Sequence, residues 1–246
     1  MSFQRLHFRC SEQPLLQNGA PPFSPPASDW IIWQLADSAF PTGGFAHSGG
    51  LEAAYQNQQI TNRDQFLEFL DAALTQAGSA ILPFVHEAWL GEIPLPEIDW
   101  TCNATTSNHV ANRASRAQGQ ALLASAERAF QQLPLKSLRQ QFLSNGLPGH
   151  NAVVFGAISK ILSIPKLDTS RLFLFTQLRG WISSSVRLGI IGPGEAQAIQ
   201  SKTAQFAEAV LSRSINSRMQ DVAQTAPLLE LFQGTQDRLY SRLFQS

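Results

Sequence analysis

The sequence predicts an all-α protein, a single-domain bundle of about eight to ten helices around a buried central helix. Three observations carry that expectation. Apolar residues recur at helical spacing through most of the stretch from Ser28 to Ser246. Proline and glycine punctuate those stretches where helices start and stop. No stretch alternates apolar and polar residues between hairpin turns, and no fixed-period repeat appears.

Taken in order, residues 1–27 close on the run NGAPPFSPPA, too rich in proline and glycine for regular hydrogen-bonded structure, and read as a flexible tail. The helical domain, 28–246, opens at Ser28, a suitable N-cap before Trp30, Ile31, Ile32 and Leu35. Thr61-Asn-Arg-Asp64 reads as a short-acid capping box, and Phe66, Leu70, Ala73, Leu74 and Ala77 follow at helical period. Gly78 interrupts, a second stretch runs to a stop at Gly91, and EIPLPEI reads as a connector. Residues 99–130 read as one long helix with Val110, Ala114, Ala117, Ala121 and Ala124 along a stripe. Val154, Ile158, Ile161 and Leu162 make another helix before Pro165. Asp168 is placed to cap the segment RLFLFTQLRGWISSSVRLGII, which is apolar nearly all round and is expected to be the buried centre. Pro193 and Pro227 suit the first turns of the last two helices.

Composition narrows the function. Charged residues make up 15% of the chain, where about 25% is usual, so part of the surface is expected to be covered by a partner. Lysine plus arginine and aspartate plus glutamate both number 18, which leaves no basic footprint for nucleic acid or an anionic membrane. Cys10 and Cys102 have no metal-type spacing and form no disulfide framework. No apolar run approaches ~20 residues, and the expected setting is cytoplasmic.

The stretch FPTGGFAHSGGLE, Phe40 to Glu52, concentrates the residues that suggest chemistry. Its glycine pairs resemble a phosphate loop, but neither GxxxxGK[ST] nor GxGxxG occurs in the chain. Asp37, His47 and Ser48 suggest a nucleophilic triad. If residues 44–56 are helical, however, His47 and Ser48 point roughly 100° apart and share no proton. His7, His47, His86, His109 and His150 form no local metal-binding pair. His47 and His150 follow glycine-containing turns and are candidate interface hydrogen-bond donors. Arg179 and Arg187 fall eight residues apart on one face of an apolar helix. They are expected to be satisfied by Asp37 or Glu52 inside the bundle, with partner contact as the alternative. The closing RLFQS is apolar and arginine-bearing, so it is either docked on its own domain or offered to a partner. No constellation supports turnover, and no cofactor is expected. A helical enzyme, or a metal-binding protein, using the His47/Ser48 turn is the alternative reading.

Four ordered segments carry a resemblance. ADSAFPTGGFAHSGGLEAA resembles the signature of the UreF family of urease accessory proteins, and GHNAVVFGAI from Gly149 is similar to its next motif. SSSVRLGIIGPGEAQ from Ser183 and the closing RLFQS resemble two more, with NRASRAQGQALL from Asn112 as a weaker fifth. Gly49, and Ser184-Ser185 in place of two alanines, depart from the pattern but stay small. The resemblance implies an all-helical, non-catalytic, dimeric protein that bridges UreD (also called UreH) and the nickel-carrying GTPase UreG. The assembled complex delivers nickel to apo-urease. By motif, it implies partner contacts at Pro41, Thr42, Gly43, Gly44, Phe45, His47, Ser48, Arg242, Leu243, Phe244 and Ser246. Asp37, Glu52, His150, Arg179 and Arg187 are implied as structural or secondary interface positions.

Overall fold

The structure, a computed structural model, describes residues 28–246, so the expected tail, with His7 and Cys10, lies outside the described residues. The described chain folds as α1 (Ser28–Ala36), α2 (Leu51–Gln56), α3 (Arg63–Gln76), α4 (Leu82–Leu90), α5 (Leu95–Thr105) and α6 (His109–Phe130). It continues as α7 (Leu133–Ser144), α8 (Asn151–Ile161), α9 (Lys166–Arg187), α10 (Pro193–Ser214) and α11 (Pro227–Thr235). A π turn, Ala77–Ile81, joins α3 to α4, so these two are one continuous helix where Gly78 was expected to interrupt. Among the described residues there is no strand, and no helix is long and apolar enough to cross a membrane.

Local chemistry sets the boundaries, and several differ from expectation. Asn62, not Thr61, caps α3: its side chain accepts from the Gln65 N–H at 3.1 Å, while the Gln65 side chain reaches back to the Thr61 N–H at 2.8 Å. The expected 99–130 helix is two helices. The Thr106 hydroxyl donates to the Cys102 carbonyl at 2.8 Å, closing α5, and Asn108 restarts the chain by accepting from the Val110 and Ala111 N–H groups. Within EIPLPEI, Pro94 precedes and Pro96 occupies the first turn of α5, so the expected connector is half helix. Asp168 does not cap α9, which begins two residues earlier behind Pro165. Instead it sits in the first turn and pairs with Arg171 at 3.6 Å.

The buried centre is α8 and not the longer apolar helix α9. Every residue from Ala152 to Ser159 is buried, between α4, α6 and α9. Two close backbone approaches make that possible. A Cβ on Gly156 would fall 2.3 Å from the Val85 carbonyl oxygen, and one on Gly119 of α6 would fall 2.1 Å from the Gly149 carbonyl oxygen. Gly119, rather than the Ala117–Ala121 stripe, is where α6 comes close; Ala117 itself is exposed. Helix α9 buries Leu172, Phe173, Leu178 and Ile182 on one side. It leaves Arg171 and Phe175 on the other, because guanidinium groups at 171, 179 and 187 recur along the helix.

Buried polar groups cross-link the helices. The Asp99 carboxylate accepts from the Gly149 and His150 N–H groups at 2.7 and 2.9 Å, fixing the entry to α8. The His150 ring spans Ser115 Oγ (3.1 Å) and Asn103 Oδ1 (3.2 Å), and His86 spans the Ser217 carbonyl (3.2 Å) and Ser170 Oγ (3.0 Å). His150 is thus fully buried in the bundle, away from the surface position expected for an interface donor. Glu87 receives Arg218 through two bonds of 2.6 and 3.0 Å.

Burial pushes both His86 and His150 down to about 4. The folded state therefore binds fewer protons than the unfolded chain, and stability is lost as pH falls below about 6.5 toward 4. Over much of that window each histidine contributes a slope of roughly 1.4 kcal/mol per pH unit. Thermal melts from pH 7 to pH 5 should show a falling Tm, and His86→Gln with His150→Gln should flatten that slope even though both lower the midpoint at pH 7.

Candidate interaction site

The glycine-rich stretch and the closing residues meet in space. After α1, the Asp37 carboxylate accepts from the Ala39 N–H at 2.8 Å, a local turn bond that leaves it far from any catalytic role with His47. Phe40 is buried and stacks on Phe130 with ring centroids 6.0 Å apart, anchoring the loop on α6. The Pro41 carbonyl accepts from Ser125 Oγ at 2.8 Å. Thr42 Oγ1 accepts weakly from the Gly44 N–H at 3.4 Å, and Gly43 takes the left-handed conformation, φ 74°, that starts a 3-10 turn at Gly44–Ala46.

Residues 44–56 are not one helix. His47 is extended (φ −124°, ψ 129°), Ser48 is buried, and Gly49 and Gly50 both have positive φ before α2 begins. At Gly49 the requirement is doubled, because a Cβ there would also lie 2.6 Å from Trp181 Nε1. The extended link sends both His47 and Ser48 to the same target. His47 Nδ1 lies 2.7 Å from Ser246 Oγ, while the Ser48 N–H and hydroxyl both donate to the Ser246 main-chain oxygen at 2.5 and 2.9 Å. Gln245 adds a bond from its N–H to the Ala46 carbonyl at 2.8 Å. The Ser48 proton is thereby committed to Ser246, and no hydrogen bond joins His47 to Ser48, so the pair is not arranged for nucleophilic attack. Burial first, and the charge of Arg113 second, push the His47 pKa below its usual value, so the ring is neutral near pH 7.

One buried carboxylate holds the rest of the segment. Glu52, in the first turn of α2, accepts from the Leu243 N–H (2.6 Å), the Phe244 N–H (3.1 Å) and Gln236 Nε2 (2.6 Å). Glu52 is spent on this segment and does not neutralise an arginine, contrary to the sequence-based expectation. Arg187 is satisfied by the Phe45 carbonyl at 2.6 Å and lies between two rings, 3.9 Å from the Phe45 centroid and 4.1 Å from that of Phe244. Arg179 donates to the Ala36 carbonyl and stands 5.7 Å from the Phe175 ring. Burial pulls its pKa down and the Asp37 charge pulls it up, so Asp37 acts on it only through space.

The surface these bonds create is apolar and cationic. Phe244 is buried beneath it, while Phe45 is 68% exposed, Leu243 52% exposed and Tyr240 fully exposed. Arg242 meets Asp237 at 3.0 Å, and the same carboxylate takes Arg113 in a bidentate pair and His109 at 3.3 Å. Pro41 and Gly43 are exposed at the other edge. Sequence reasoning missed Tyr240, Gln236 and Asp237. Tyr240 was legible, as an aromatic beside RLFQS; Gln236 and Asp237 owe their roles chiefly to Glu52, Arg113 and His109, far away in the chain. Among the described residues no three His, Cys, Asp or Glu side chains gather as a metal site.

Fold and site together define an all-helical protein whose most elaborate local structure builds an exposed aromatic and arginine-bearing surface. The comparisons agree on its kinship. The UreF family model matches residues 60–204. The chain is 38% identical to urease accessory protein F of Arabidopsis thaliana, over 88% of this chain and 92% of that protein. It is 36% identical to the protein of the same name from Oryza sativa subsp. indica, over 87% and 84%. The bacterial urease accessory protein UreF of Trichodesmium erythraeum is 27% identical over 87% and 94%. The chain belongs to the UreF family.

Glu52→Ala removes four acceptor bonds at once, one of them from Gln56, and leaves the buried Phe244 N–H unpaired. Urea denaturation should show a loss of about 2–4 kcal/mol, and limited proteolysis should cut within 236–246 where the wild type resists. Leu243→Ala, an exposed position, should change stability by less than about 0.5 kcal/mol.

Proposed function

We propose that this protein is a non-catalytic scaffold of urease maturation, acting in the cytoplasm. It joins UreD (UreH) to the nickel-carrying GTPase UreG, and the assembly supports and regulates GTP-dependent nickel delivery to apo-urease. Nickel is the cargo of that process. The reading is supported by family membership and by the names of the relatives, all urease accessory proteins. The single observation that carries it is the union of Phe45–Ser48 with Arg242–Ser246. Two motifs nearly two hundred residues apart are fastened together by Ser48, Glu52 and Arg187, and the product is an exposed surface. Aromatic and arginine side chains on a rigid base are the composition of interface hot spots. Pro41, Thr42, Gly43, Gly44, Phe45 and His47 on one side, and Arg242 and Leu243 on the other, are the proposed contacts. Ser48, Phe244 and Ser246 act from beneath by holding them.

Self-association is the second element of the proposal. Trp30 and Trp33 of α1 are 70% and 60% exposed and pack edge to face 5.2 Å apart. On α9, which α1 contacts, Phe175 is partly exposed beside an apolar groove of about 430 Å³ lined by Leu174, Leu178 and Ala204. Exposed aromatic area of this kind favours a homodimer.

Two measurements test these readings. In size-exclusion chromatography the protein should co-elute with UreD and then recruit UreG, while hydrolysing no GTP alone. Phe45→Ala with Arg242→Glu should weaken partner binding by at least about tenfold, and absence of co-elution by the wild type would sink the scaffold reading. Light scattering of the isolated chain should give a dimer mass, and Trp30→Glu with Trp33→Glu should give a monomer with unchanged helicity; a wild-type monomer at all concentrations excludes the dimer.

A further inference from the structure

A polar notch runs along α6, beside the surface just described. It encloses about 640 Å³ and is lined by Thr106, Ser107, His109, Asn112, Arg113, Arg116, Ala117 and Gln120. Its basic side chains, His109, Arg113 and Arg116, fall at i, i+4 and i+7, on one stripe of the helix, and no lining residue is acidic. Like charges at that spacing oppose each other, and the first turn of α6 holds no acid to offset the positive end of the helix. The arrangement does nothing for the helix itself, on a chain whose net charge is zero.

These side chains are not equally engaged. Asp237 holds Arg113 and also takes His109 and Arg242. Arg116 has neither a hydrogen bond nor an ion pair among the described residues, though it is exposed in the notch. The carboxylate it influences from a distance is Asp99, buried and already accepting the Gly149 and His150 N–H groups. Arg116 is thus an unspent guanidinium, able to take a carboxylate bidentately. From His109 to Gln120 the notch spans roughly 16 Å of helix, far longer than a single phosphate and suited to several residues of chain. It is also continuous with the Arg242 surface, because Arg113 and Arg242 share Asp237.

We propose that this notch receives an acidic segment of a protein partner, one of whose carboxylates pairs with Arg116. The proposal rests on the scaffold reading above and adds the chemistry by which part of the partner is recognised. The hydroxyl and amide groups of Thr106, Ser107, Asn112 and Gln120 line the path of the segment. The pairing would steer association and be weakened by salt.

Binding of the full-length wild type, Arg116→Glu and Arg116→Lys to purified UreD and UreG, at low and high salt, tests it. Because Arg116 makes no bond within the chain, both variants should keep wild-type helicity and Tm. Arg116→Glu should weaken binding at least about tenfold with a shallower salt dependence, and Arg116→Lys should retain an intermediate affinity. Arg116→Glu binding within about twofold of wild type, with the wild type binding normally, overturns the notch proposal and leaves the scaffold reading intact. A wild type that binds no partner overturns both. Saturable binding of inorganic phosphate that Arg116→Glu abolishes, with partner affinity unmoved, reassigns the notch to a small oxyanion and also overturns the proposal.

Discussion

A carboxylate taken out of water is costly unless its lone pairs are filled, and Glu52 is filled almost entirely by one segment of chain. That constraint ties the candidate surface together. With Glu52 fixed in the first turn of α2, the Leu243 and Phe244 N–H groups have one low-energy position. Phe244 then turns inward beneath Arg187, and Leu243 and Arg242 turn outward. Ser48 completes the geometry from the other end by giving two protons to Ser246. Neither motif could hold this shape alone, since each supplies the partners that satisfy the other's buried polar groups.

The same logic extends back along the chain. Helix α11 contributes no fully buried residue and packs only the partly buried Leu229 and Phe232 against the core. Polar anchors at intervals add to that packing. The Gln76 side-chain oxygen accepts from the Thr225 N–H, the Thr225 hydroxyl and the Ala226 N–H at 2.6 to 3.0 Å. Asn108 donates to the Glu230 carbonyl at 2.8 Å, and Gln236 ends at Glu52. Residues 225–246 are therefore a layer fastened onto the bundle by side-chain amides and carboxylates. Hydrogen bonds place a backbone sharply but add little net stability each, about 1 kcal/mol. A surface built this way is well defined in shape and modest in the free energy that maintains it.

How much of this was legible in the sequence depends on the range of the interaction. Helical period, Pro193, Pro227 and the Gly91 stop are local signals, and the helices they announce are present. The break between α5 and α6 was hidden because alanine, serine and asparagine around residues 103–115 suit either a helix interior or a cap. Only the Asn108 side chain turning onto Val110 and Ala111 decides between them. The identity of the central helix was hidden for another reason. It is set by how closely backbones approach at Gly156 and Gly119, a tertiary quantity to which hydrophobicity is blind. At the site, both motifs stood out as unusual, but their union did not. Ser48 and Ser246 are separated by 198 positions, and Glu52 was expected inside the bundle but as the partner of an arginine.

Charge economy links the fold to its surface. A chain with few charged residues has few to place idly, and most of the arginines around the site are committed. Arg187 spends its charge on a carbonyl and two rings, Arg179 on a carbonyl, and Arg113 and Arg242 on one shared aspartate. Asp237 therefore joins the notch on α6 to the surface formed by Phe45 and Arg242, although the two lie on different elements. Asp237, shared by Arg113, Arg242 and the His109 ring, is the one acid at which the two regions meet.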